Sequence, residues 1–124
     1  MEKILEQKEV RFSPLNGDFD IASINDMIGK VEFVYRDLYV ENLFMFFLDE
    51  DSMKEAVKYR ESNHNIPLPN VFIVKITPKE VYFNLHAGPK FKPHARIVLE
   101  YLIKNYNCRV KSGNGEDLTD DFCL

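Results

Sequence analysis

"VFIVKITPKEVYFNLHAGPKFKPHARIVLEYLIKNYNCRV", residues 71–110, is the stretch whose reading decides the fold. It opens with two runs rich in Val, Ile, Phe and Tyr, 71–77 and 80–85, divided by Pro78 and Lys79. Such runs around a two-residue break predict a β-hairpin. Pro93 suits the first turn of a helix, where its missing N–H has no intrahelical partner to lose. Ala95, Val98, Leu99, Leu102, Ile103 and Tyr106 follow at helical spacing and predict a helix reaching 106. "CRVK" at 108–111 is expected to be a last short strand.

Working outward toward the N-terminus, "DEDSMKEAVKYRESN" predicts a second helix, with Ser52 and Glu55 spaced as a capping box. Its inner stripe is expected from Met53, Ala56, Val57 and the stem of Arg60. "YVENLFMFFL" at 39–48 predicts a strand, and its unbroken apolar run from Leu43 implies burial on both faces. "VEFVYRD" at 31–37 and "EVRF" at 9–12 predict two further strands. Between them 20–28 predicts a short helix opened by Asp20. "NIPLPN" at 65–70 is expected to be a rigid connector, because two prolines forbid helix.

From residue 42 the order is β-α-β-β-α-β. The fold class expected is therefore α+β: an antiparallel sheet with helices on one face and a ferredoxin-like core spanning about 42–112. Residues 1–41 would add an N-terminal βαβ extension. A chain of 124 residues is expected to form a single domain, 1–124, with 112–124 as an acidic, mobile tail.

The formal net charge is −4, which disfavours general nucleic-acid binding. The charge is segregated along the chain. Residues 1–74 hold 8 basic and 14 acidic side chains, and residues 75–111 hold 8 basic and 2 acidic. Residues 112–124 hold four acids and no base. Cys108 and Cys123 form neither a disulfide framework nor a CxxC motif. The longest apolar run, "LFMFFL", is too short to span a bilayer, and the N-terminus lacks a signal-peptide core. A cytoplasmic location follows as an expectation, with no membrane partner.

One candidate anion site stands out. Gly88, Lys90, Lys92, His94 and Arg96 lie in or beside the connection that opens the last helix. Free amides, the helix dipole and cationic side chains would there converge on a phosphate or carboxylate. His86 and His94 are candidates for acid–base work if a carboxylate orients one of them. The three histidines lack metal-ligand spacing, His64 lying in another loop, so no metal and no cofactor is expected. "HAGPKFKPHARIVLEYLIKNYNCRV" is similar to the last helix and strand of janus-type phosphohistidine phosphatases, over about a fifth of the chain. That family's catalytic histidine followed by Ala-Asp has no counterpart in the mid-chain "YRESNHNIP", so no catalytic residue is carried over.

The second candidate is a partner-binding surface. Tyr35, Tyr39 and Tyr82 are expected on the sheet face that the helices leave open, where tyrosines serve as hot spots. Asp49, Glu50 and Asp51, with Glu116, Asp117, Asp120 and Asp121, are the acidic groups that would meet a basic partner. The leading expectation is thus a small non-catalytic protein-binding domain. Its particular form would be a bacterial toxin-neutralising immunity protein masking a basic toxin or nuclease domain, with a homodimer as a further way to cover the sheet. The alternatives are a phosphorylated-ligand or nucleotide sensor using 86–96, and a small His-dependent enzyme.

Overall fold

The computed structural model describes residues 1–62 and 71–124, and among them six strands join in one antiparallel sheet with four α-helices. The chain runs α1 (Glu2–Leu5), β1 (Glu9–Pro14), α2 (Ile21–Gly29), β2 (Val34–Arg36), β3 (Leu43–Phe46) and α3 (Glu50–Ser62). It continues through β4 (Phe72–Thr77), β5 (Glu80–Asn84), a 3-10 turn (Pro89–Phe91), α4 (Lys92–Asn105), β6 (Cys108–Ser112) and a second 3-10 turn (Thr119–Asp121). The expected hairpin, last helix and last strand all form. The connector expected at 65–70, and His64, lie outside the described residues.

The strand order is β2-β3-β4-β5-β1-β6. This is α+β, but not the split βαβ arrangement. β3 pairs directly with β4, antiparallel, although α3 lies between them in sequence. β1 is no outer extension: it lies between β5 and β6 and pairs with both.

Strand alternation sorts the core into two clusters. Val10, Phe12, Phe46, Phe72, Val74, Val81, Phe83 and Val110 face one side and meet buried residues of α1, α2 and α4. Leu43, Met45, Phe47 and Ile73 face the other side and meet Met53 and Ala56 of α3. Helices therefore cover both faces, correcting the one-face expectation. The "LFMFF" run requires this result, since apolar side chains on opposite faces of β3 need cover on each.

Two boundaries move for backbone reasons. Asn42 and Phe33 adopt positive φ, 55° and 58°, so the long strands expected at 39–48 and 31–37 shrink to β3 and β2. Between them Asp37 turns the chain by accepting hydrogen bonds from the amides of Tyr39 (3.1 Å) and Val40 (2.7 Å). α3 begins three residues earlier than the expected capping box would start it. Its cap is Asp49, whose carboxylate accepts from the Ser52 amide at 2.7 Å.

The acidic tail is packed onto the fold. Leu118 is buried, and the Phe122 ring lies 5.9 Å from that of Phe12. The tail also occupies the outer edge of β6. Ser112 N–H donates to Glu116 O, Leu118 N–H to Val110 O, and Val110 N–H to the Thr119 hydroxyl. Asp121 takes the terminal amino group of Met1 at 2.9 Å and the Ile4 amide at the same distance. No helix among the described residues is long and apolar enough to cross a membrane.

Candidate interaction surface

The face opposite α2 and α4 divides into two halves. α3 covers the half made by β2, β3 and the start of β4. It is fixed there by Arg60, whose guanidinium donates to the two Asp37 carboxylate oxygens at 2.9 and 3.2 Å. Both side chains are buried, at 8% and 0% exposure. Burial alone would raise the Asp37 carboxyl. The Arg60 hydrogen bond and the Val40 and Tyr39 amides outweigh it and hold the carboxyl below its ordinary range.

The other half, from the end of β4 through β5, β1 and β6, carries no helix among the described residues. Strand register builds its surface. Lys75 pairs with Tyr82, Tyr82 with Arg11, and Arg11 with Lys111, placing three cations and one tyrosine in a single row across four strands. Arg109 stands two residues before Lys111 on the same face of β6. The carboxylates of this face are engaged. Glu80 accepts from Arg11 at 2.6 Å, and Glu9 accepts from the Tyr82 hydroxyl. The Arg11 guanidinium also lies 4.6 Å from the centre of the Tyr82 ring. Burial, then the bond to Glu9, pushes the Tyr82 hydroxyl up to about 12, so it stays protonated and donating. Lys75, Arg109 and Lys111 are exposed and make no direct ion pair among the described residues. Asp117 stands opposite Lys111 at the outer edge of β6, near both Lys111 and Arg109. Arg11, Lys75, Thr77, Glu80 and Tyr82 enclose a hollow of about 300 Å³.

Of the expected tyrosines, Tyr82 is thus at the centre of the bare half. Tyr35 is on the same side of the sheet but under α3, its hydroxyl buried without a partner. Tyr39 lies in the turn after β2 and donates its hydroxyl to Glu61 O at 3.2 Å. The acidic groups have local employment. Asp49 caps α3, Glu50 pairs with Lys54 at 3.1 Å, Asp117 accepts from the Thr119 amide, and Asp121 holds the N-terminus. Asp51, Glu116 and Asp120 are exposed.

The 86–96 residues do not all gather at one place: Lys90 and His94 part from Gly88, Lys92 and Arg96. Gly88 makes the bend with φ 93°, and the 3-10 turn that follows uses amides the anion site needed. Phe91 N–H donates to Gly88 O, Lys92 N–H to Pro89 O, and Pro93 has no N–H. Lys90 lies over the Phe91 ring, beside the start of α3. Lys92 shares a hollow with His86, Gly88, Glu6 and Gln7, and Arg96, one turn further along α4, pairs with Glu2, near which Lys92 also lies. His94 lines a third space, a cleft of about 600 Å³ between α2 and α4. No carboxylate bonds either imidazole among the described residues, and no group of three His, Cys, Asp or Glu there could hold a metal.

The basic row escapes a linear reading because it is assembled by the insertion of β1, which brings Arg11 between Tyr82 and Lys111. Alternation does locate Tyr82 and Lys75 on one face. No family model matches the chain, and no characterised protein and no solved structure matches it either.

Proposed function

We propose that this is a non-catalytic binding domain that engages an acidic protein surface through the bare half of its sheet. The observation that carries this reading is the Lys75–Tyr82–Arg11–Lys111 row, flanked by Arg109 and, among the described residues, free of covering helix. A half-buried tyrosine beside cations is the composition of an interface hot spot. Glu9 and Glu80 on the same face favour a protein with discrete carboxylates over a continuous polyanion, because they would repel a phosphate backbone. Toxin neutralisation in the cytoplasm is the particular form of this reading. It then requires an acidic patch on the toxin, rather than the basic one that the whole-chain charge suggests.

The test is capture of a partner by the purified protein at physiological and high salt, beside the double variant Lys75→Glu with Lys111→Glu. Both positions are exposed, so folding should be unchanged. Capture of an acidic partner, lost in the variant and weakened at high salt, is expected. Capture unchanged by the double variant would sink the proposal.

A further inference from the structure

We propose that the cleft between α2 and α4 binds an uncharged, largely apolar small molecule that presents a carbonyl acceptor to His94. This site is separate from the bare half-sheet, on the opposite face. Its walls come from the end of α2, the chain just after it, Leu48 and the first turns of α4: Met27, Val31, Phe33 and Ile97 complete the apolar lining. The volume of about 600 Å³ falls within the roughly 300–1,000 Å³ of small-molecule sites, which are mostly apolar with few polar groups.

Two features single it out from an ordinary surface dent. Leu48 and Ile97, 46% and 47% exposed, both line this one cleft. A ligand would withdraw both from water together. The second feature is His94, the polar group set deepest in the lining. Its ring is held by aromatic neighbours, Phe91 at 5.5 Å and Phe46 at 6.3 Å between centres. Its Nδ1 is shut off from solvent and has no hydrogen-bond partner. A proton on Nδ1 would be a buried donor without an acceptor, so the neutral ring carries its proton on Nε2. The imidazole thus offers one N–H donor, which a carbonyl oxygen satisfies. Lys30 and Glu32 lie at the cleft with opposite charges. A charged ligand attracted by one is repelled by the other, so an uncharged one fits.

The probe is 6-propionyl-2-dimethylaminonaphthalene, a neutral aromatic ketone whose emission moves to the blue on leaving water. Titrated into the native protein, it is expected to bind saturably, one per chain, with that blue shift. Ile97→Asp, at an exposed helix position, should weaken binding tenfold or more with the melting temperature little changed. His94→Phe keeps a ring against Phe46 and Phe91 but removes the donor, and should weaken binding about threefold to tenfold. In the native protein the ¹⁵N signal of His94 Nε2 should shift on addition of the probe, which tests the hydrogen bond even if that variant unfolds. Absence of saturable binding, wild-type affinity in Ile97→Asp, or an unmoved Nε2 signal would overturn the proposal. So would loss of self-association in Ile97→Asp by light scattering with no probe bound, which assigns the cleft to a second copy.

Discussion

The two halves of the sheet's reverse face differ in one sequence property and hence in fate. On β3 every position from Leu43 to Phe46 is apolar and buried. On β5 Glu80, Tyr82 and Asn84 alternate with buried Val81 and Phe83. A helix docks where the outward positions are apolar, and none docks where they are charged. The covered half is bought with a buried ion pair, Arg60–Asp37, while the bare half keeps its ion pair, Arg11–Glu80, at the surface. The first half stabilises the fold. The second leaves cations available to another molecule.

Removing Asp37 should show the largest effect. Asp37→Ala deletes the acceptor of two Arg60 bonds and two backbone amides, and should destabilise by about 3–5 kcal/mol in urea unfolding. A loss under about 1 kcal/mol would mean that α3 is held by apolar contacts alone. Next comes the apolar floor. Met45→Ala should cost about 2–5 kcal/mol, whereas Lys75→Ala, in the same sheet but on the bare half, should stay within about 0.5 kcal/mol. Equal effects at the two positions would erase the distinction between the halves.

Acid gives a gentler version of the contrast. The Asp37 carboxyl titrates lower in the folded chain than the roughly 3.9 of an unfolded one. Its contribution is therefore complete above that unfolded value and is lost as pH falls through the lower folded value. The Tyr39 and Val40 amides should lose exchange protection in acid before those of β1 and β5. Simultaneous loss would show that the two halves open as one unit.

Much of the fold was legible because local periodicity sufficed. The 72–84 hairpin, α2, α4 and β6 each follow from spacing within one segment. The strand order was not legible, because nothing local in "EVRF" states that β1 enters between β5 and β6. The side on which α3 lies was half written: "LFMFF" demands cover on both faces, yet the helix sequence does not say which side it takes. The same division governs the site. Tyr82 could be placed on a face by alternation, but the basic row needed the register of β1. The 86–96 cations share a segment but divide in space: Lys92 and Arg96, one turn apart on α4, lie beside Glu2, whereas Lys90 lies over Phe91 near α3 and His94 lines the cleft between α2 and α4.

The C-terminal segment's hold on β6 has a consequence for how copies of this protein can meet. Its hydroxyl, amide and carbonyl groups fill the places that an incoming strand would use, and the opposite margin, β2, is three residues long. Side-by-side zippering of sheets into fibrils is thereby starved of a template. Concentrated solutions should consequently resist amyloid-type growth as long as that C-terminal strap stays in place.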